Sequence, residues 1–140
     1  MILGIGTDIV DVARFEKWAG YSHTRLLKIF SEQELAQCKH DNLYIPEKLA
    51  ARFAAKEAFY KALSASLVTL KKTEKTFSLL STARFVTVAY AEWGVPYIVI
   101  DWQSFAQKNN IDCLPLLSVH LSLAHEKSHA LAFVVIIKAQ

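Results

Sequence analysis

The run Arg52-Phe53-Ala54-Ala55-Lys56-Glu57-Ala58-Phe59-Tyr60-Lys61-Ala62-Leu63 decides the fold of this chain. It reads as the middle of one long helix. Alanines and long straight side chains dominate it, Pro46 supplies an N1-type start, and no Gly or Pro follows until well past Leu63. The helix is expected to end around Ser66 to Leu70. Advancing by ~100° per residue sets Ala50, Ala51, Ala54, Ala55, Ala58, Phe59 and Ala62 on one half of the cylinder. Such a small-residue face lets another backbone or a sheet come close. Arg52 and Lys56 fall on the opposite half. Glu57 and Lys61 stand one turn apart along the margin of the alanine face. As a solvated i,i+4 ion pair they would contribute about 0.2–0.5 kcal/mol. Such pairs usually sit opposite an apolar stripe, however, and a carboxylate and an ammonium on its flank look more like the wall of a site.

At the start of the chain, Met1-Ile2-Leu3-Gly4-Ile5-Gly6-Thr7-Asp8-Ile9-Val10 reads as a strand of period 2. Leu3, Ile5, Thr7 and Ile9 point one way; Ile2, Gly4, Gly6 and Asp8 point the other. Glycines on alternate strand positions mark close approach of another backbone or of a ligand. Asp8 ends that cleared track just before a helical pattern begins, where an Asp also serves as a helix cap.

These two stretches carry a resemblance. Gly4-Ile5-Gly6-Thr7-Asp8-Ile9-Val10-Asp11, then Arg52-Phe53-Ala54-Ala55-Lys56-Glu57-Ala58 followed by Lys61-Ala62-Leu63, resemble the holo-[acyl-carrier-protein] synthases. Those are the small, bacterial-type 4′-phosphopantetheinyl transferases. A third block, His120-Leu121-Ser122-Leu123-Ala124-His125-Glu126, is similar to that family's Ser-x-Ser-His strand end. The blocks follow in the family's order over nearly the whole chain.

Composition agrees with a small globular enzyme. A chain of 140 residues is expected to form one domain, residues 1–140, with a real core. A hydrophobic content of 53% hints at an apolar subunit interface. The longest apolar run, Ala130 to Ile137, falls far short of the ~20 residues of a membrane span and reads as a buried strand. No charged-then-apolar leader opens the sequence. Cys38 and Cys113 show no metal-ligand spacing or disulfide framework, so a cytoplasmic location is expected. A formal charge of +3 is too small to argue for nucleic acid.

In chain order, Val10 to Trp18 reads as a short helix and His23 to Phe30 as a basic amphipathic segment. Arg14, Arg25 and Lys28 make a positive face around Trp18; ordinary solvated charge is the alternative. Ser31-Glu32-Gln33-Glu34 is a capping box opening a helix from Glu32 to His40. Lys71-Lys72-Thr73-Glu74-Lys75-Thr76 reads as a solvated polar loop. Ser81 to Tyr90 and Tyr97 to Ile100 read as strands about the turn Glu92-Trp93-Gly94-Val95-Pro96, and Ser104 to Asn109 as a short helix. Leu117 to Ala124 alternates, with Ser118, His120 and Ser122 opposite Leu117, Val119, Leu121 and Leu123. Ala130 to Ile137 pairs back as the final strand. One long helix packed on a mostly antiparallel sheet is an α+β architecture.

Asp8 and Glu57 are carboxylates on separate elements beside Lys61. Mg²⁺ takes oxygen ligands and is usually held by one or two carboxylates plus substrate phosphates. The resemblance implies coenzyme A as substrate and an apo acyl carrier protein as acceptor. The carrier's serine attacks the β-phosphate and adenosine 3′,5′-bisphosphate leaves, in the service of fatty acid biosynthesis. On that reading Asp8 and Glu57 are Mg²⁺ ligands, catalytic together with Lys61, which pairs with phosphate as charge develops. Activation of the serine falls to Glu57 or to a metal-bound water; the sequence leaves both open. Arg52 is a candidate for the nucleotide's 3′-phosphate, where a guanidinium fork fits. By resemblance, His125 lines the coenzyme A site from the neighbouring subunit of a trimer, and the face of Arg14, Trp18, Arg25 and Lys28 docks the acidic helix of the carrier protein.

The chain departs from the family at three places. Ser64-Ala65-Ser66-Leu67 stands where a glycine-containing turn is usual, Gly94-Val95-Pro96 replaces Gly-Lys-Pro, and Ala124 replaces the second serine of Ser-x-Ser-His. Two other readings therefore stand beside the first. One is a different metal-dependent phosphoester or nucleotide enzyme, which uses the same Asp, Glu and Lys. The other is a non-catalytic module that binds the carrier protein. A Rossmann nucleotide site fails, because Ile9 occupies the place of the third glycine.

Overall fold

The run that reads as a helix forms one: Pro46–Thr69 is a single helix of 24 residues with Pro46 in its first turn. The computed structural model describes residues 1–72, 77–111 and 114–139. Thr73 to Thr76, with Lys75 of the expected lysine-rich loop, and Cys113 lie outside the described residues. In chain order the elements are β1 (Ile2–Asp11), α1 (Ala13–Ala19), α2 (His23–Leu26), α3 (Glu32–Gln37), β2 (Lys39–His40), β3 (Leu43–Tyr44), α4 (Pro46–Thr69), α5 (Leu79–Ala83), β4 (Val86–Tyr90), β5 (Pro96–Ile100), α6 (Trp102–Asn109), β6 (Leu117–His125) and β7 (His129–Lys138).

β1, β7 and β6 form an antiparallel sheet in that order, and β4 pairs with β5 as a hairpin beside β6. α4 lies across one face of the sheet. The glycine track explains how closely it lies. A Cβ on Gly4 would overlap the carbonyl oxygen of Ala62, and one on Gly6 that of Ala58. Backbone meets backbone there, which only Gly on the strand and Ala on the helix permit. β7 completes the layer with Ala130, Ala132, Val134 and Ile136, all fully buried.

The opposite side of α4 is covered too. Arg52 and Lys56 are buried beneath α3, α5 and β4; Phe59, grouped with the alanines in the sequence reading, packs instead against Trp102 of α6, and Leu63 is buried as well. What stays open is a strip running through Glu57, Lys61, Ser64 and Val68. A helix packed nearly all round loses the simple amphipathic signature.

Four local expectations are corrected. Ile2 is exposed and Leu3 buried, the reverse of the sequence reading, because the β1–β7 register shifts between Ile2 and Gly4. β1 continues through Asp11, so Val10 is a strand residue and α1 begins only at Ala13. α3 stops at Gln37. Asp41 and Asn42, with φ of 49° and 63°, then make a two-residue hairpin turn that pairs Lys39 and His40 with Tyr44 and Leu43. Ser81 begins no strand: Ser78 and Ser81 cap each other in a capping box, and Leu79–Ala83 is helical before β4 starts at Val86.

Candidate active site

α4 separates two groups of polar side chains. Arg52 and Glu57 are five residues apart and so project about 140° from one another around the helix axis. Glu57 and Lys61 occupy the flank beside β1, while Arg52 faces β4 and the end of β6.

On the first flank, β1 delivers Asp8 to the helix just beyond the glycine track. Its side chain is 9% exposed. Lys61 Nζ donates to Asp8 Oδ1 and to the Thr7 carbonyl oxygen, each at 2.9 Å. Asp8 Oδ2 is buried without a hydrogen-bond partner. A buried carboxylate oxygen left bare is expensive unless something cationic or protic meets it. Glu57 is half-buried and has no ion pair or hydrogen bond among the described residues. The surface pair considered for Glu57 and Lys61 is therefore replaced by a pair between Lys61 and Asp8. Nor does Asp8 cap α1: Val12 stands at the N-cap with no side-chain cap bond, and Asp11 Oδ1 accepts from Ala13 N at 2.9 Å in the turn before the helix.

On the second flank, Arg52 and His125 line one cavity of about 320 Å³ together with Lys48, Tyr90, Gly94 and Leu123. Arg52 is 4% exposed. Its Nη1 donates to the Lys48 carbonyl at 3.2 Å, its Nη2 to Gln37 Oε1 at 3.0 Å, and its guanidinium lies 5.1 Å from the Tyr90 ring centroid. Arg52 Nε is buried and unpartnered. A guanidinium has five N–H donors, so donor capacity remains for an anion. His125 is exposed at the end of β6.

The third group is carried by α1, α2 and the residues just after α2. Trp18, Arg25 and Lys28 line a cavity of about 240 Å³ with Tyr21, Leu26 and Leu80. Arg14 stacks over the Trp18 and Phe53 rings at 5.5 and 5.0 Å, and Arg25 over Tyr21 at 3.6 Å. Cations and aromatics thus share one face, as the sequence pattern implied.

Sequence reasoning missed the tie between Lys56 and Glu34. Lys56 Nζ lies 2.9 Å from Glu34 Oε2 and donates to the carbonyls of Ala83 and Val86. Glu34 also accepts from Ser31 N and Val88 N, each at 2.8 Å. Burial pushes the Lys56 ammonium below its ordinary pKa, with Glu34 pulling the other way. Beside them, burial raises the Cys38 thiol to about 11. The capping box named Glu34, but no spacing joins it to a lysine on another helix. Tyr90 was missed because nothing local ties it to Arg52. The glycine-free stretch after Leu63 has a plain structural outcome. It continues the helix, with Ser64 and Ser66 hydroxyls donating back to the Tyr60 and Ala62 carbonyls at 2.8 Å.

Known proteins share this fold. Residues 4–134 match the model of the 4′-phosphopantetheinyl transferase superfamily. The chain is 35% identical to the holo-[acyl-carrier-protein] synthase of Treponema denticola, covering 97% of this chain and 98% of that one. It is 37% identical to the protein of the same name from Halothermothrix orenii, covering 96% and 97%. A crystal structure of the holo-(acyl-carrier-protein) synthase of Bacillus anthracis in complex with CoA (3′,5′-ADP) superimposes with a TM-score of 0.68 at 27% identity, covering 99% of both chains. The expected α+β architecture, antiparallel sheet on a long helix, is that of these structures.

Proposed function

This chain belongs to the 4′-phosphopantetheinyl transferase superfamily and is a transferase, and we propose that it moves the 4′-phosphopantetheine arm of coenzyme A onto a serine of an apo acyl carrier protein. Adenosine 3′,5′-bisphosphate is the leaving product, and residues 1–140 act as one domain. The observation that carries this reading is the bare, buried Oδ2 of Asp8 beside Lys61, on the flank of α4 that also holds Glu57.

That donor set fits Mg²⁺: a carboxylate oxygen with no protein partner and a second, half-buried carboxylate on the same flank of α4. Asp8 and Glu57 would hold the ion, which when bound neutralises charge on the pyrophosphate. Lys61, 45% exposed at its side chain, is free to turn its ammonium from Asp8 toward the phosphate that departs. Thr7 and Asp8 hold it in readiness meanwhile. Much of the rate in such chemistry comes from positioning, which the rigid contact of β1 with α4 supplies.

Arg52 and His125 bind the nucleotide end, with the unused guanidinium donors meeting the 3′-phosphate. Because α4 stands between Arg52 and Asp8, one ligand reaches both most directly when they come from different subunits. A trimer with sites between protomers is supported by that separation. It is supported also by an exposed apolar outer face of the sheet, where Ile5, Ile9, Leu131 and Phe133 are 49%, 61%, 39% and 39% accessible. The face of Arg14, Trp18, Arg25 and Lys28 takes the acidic helix of the carrier protein. Among the described residues no helix is long and apolar enough to cross a membrane.

The test is the intact mass of an apo acyl carrier protein after incubation with this protein, coenzyme A and Mg²⁺. Gain of one phosphopantetheine arm, abolished by a chelator or by Glu57→Gln, is the expected result. No gain with folded protein and several carrier proteins would sink the transferase reading in favour of a binding module.

A further inference from the structure

The turn joining β4 to β5 holds a tryptophan in an unusual setting. Trp93 is 98% exposed and has φ 59° and ψ 18°, the left-handed region that bulky residues avoid. The hairpin does not demand this. Ala91 N bonds to Val95 O at 2.8 Å, leaving Glu92, Trp93 and Gly94 as a three-residue loop. Such loops ordinarily place only the last residue in the left-handed region, and Gly94, with φ 74°, already does so. An aromatic ring held in water on a strained backbone gains nothing from folding. Strain of this kind collects at ligand clamps.

Trp93 does not itself line a cavity, but the loop that carries it borders one. Gly94 and Tyr90, on either side of Trp93 in the chain, line the 320 Å³ cavity whose floor carries Arg52, with its buried and unpartnered Nε. Glu47, Lys48 and His125 line it as well, so its charge is mixed, and the buried Arg52 guanidinium is the group with donors to spare for a phosphate. The Tyr90 ring is already engaged by the Arg52 guanidinium at 5.1 Å. The anionic part of a nucleotide is thus provided for, while Trp93 is the aromatic surface of the loop with neither face covered.

We propose that Trp93 is a positioning residue for the nucleotide end of coenzyme A, its indole closing over the cavity to stack on the adenine while Arg52 meets the 3′-phosphate. This rests on the transferase reading given above.

The experiment is calorimetric binding of adenosine 3′,5′-bisphosphate and of 4′-phosphopantetheine to the full chain and to Trp93→Ala, Trp93→Phe and Trp93→Asn. Stacking of a base on an aromatic ring predicts that Trp93→Ala weakens the bisphosphate roughly tenfold. Phe retains most of the affinity. Asn, which tolerates the left-handed backbone but has no ring, behaves as Ala. Phosphopantetheine, having no base, binds all four proteins alike. Trp18 and Trp102 are half-buried, so quenching of the solvent-exposed indole emission by the bisphosphate reports Trp93 directly. Bisphosphate affinity in Trp93→Ala within twofold of the unsubstituted protein overturns the proposal and leaves the transferase reading standing. A parent protein that binds neither ligand overturns both.

Discussion

The Lys61 ammonium lies 2.9 Å from a carboxylate oxygen of Asp8, 53 residues earlier in the chain, and the other oxygen of that carboxylate is buried with no partner. Replacing Asp8 by Asn keeps the shape and removes the charge. It is expected to lower kcat by about 10²–10³, as does Lys61→Ala, because each removes charge stabilisation that matters most as the phosphate departs. Circular dichroism unchanged beside a lost mass gain on the carrier protein would support this. Full activity in Asp8→Asn would remove Asp8 from the chemistry.

Gly6 has no room for a methyl group, since a Cβ would meet the Ala58 carbonyl and the Ala62 amide, both backbone. Gly6→Ala should destabilise the chain by about 3 kcal/mol or leave it unfolded. The control is Gly20→Ala, whose Cβ would approach only the Lys17 carbonyl at 3.5 Å. Urea midpoints that fall equally in both variants would contradict the close approach of β1 to α4.

Glu34 and Lys56 form an ion pair that is 0% and 1% exposed at its side chains. Breaking such a pair from one side leaves an uncompensated charge, so Lys56→Met is expected to cost about 3–5 kcal/mol. Lys56→Met combined with Glu34→Gln should recover part of the loss, which a double-mutant cycle of unfolding midpoints would measure. Equal and additive losses would show that the pair is not coupled.

The Cys38 thiol, fully buried, is raised from 9.0 to about 11, with burial the largest cause. Between those values the unfolded chain has released the proton while the folded chain keeps it. This residue's contribution is therefore complete below pH 9 and is lost as pH rises through 11, by about 2–3 kcal/mol. Lys56 acts in the opposite sense. Its pKa is depressed from 10.5, so the unfolded chain holds more protons and stability rises with pH across the interval up to 10.5. Cys38→Ala should accordingly lose less stability than the parent between pH 9 and 11. An identical decline in both proteins would refute the assignment.

Arg14 stacks on Trp18, and Trp18, Arg25 and Lys28 share one cavity wall. Arg14→Glu and Trp18→Ala are expected to raise KM for the carrier protein about tenfold or more while binding of coenzyme A stays unchanged. Steady-state kinetics with each substrate varied separately would decide it, and an equal change in both KM values would argue against a docking face.

The sequence by itself determined the helix from Pro46, the glycine track on the first strand and the order of the motifs. These are written in local spacing: a period of 2 with every second residue reduced to Gly, and a period near 3.6 with Ala on one side. Such patterns state which residues share a face. Two of the misread local elements were also written locally, in Asp41-Asn42 and in Ser78 with Ser81, as turn and cap chemistry.

Only the tertiary structure decided what covers each face. The wheel placed Arg52 and Lys56 together opposite the alanines, but it could not say that α3, α5 and β4 bury that side. There Lys56 finds Glu34 and Arg52 borders a cavity. It set Glu57 against Lys61, whereas Lys61 pairs with Asp8 across the chain. Periodicity fixes an angle about one axis. Which distant charge lies within 3 Å depends on how whole elements pack, and a polar side chain is stabilised in a core only by the partner that packing brings to it.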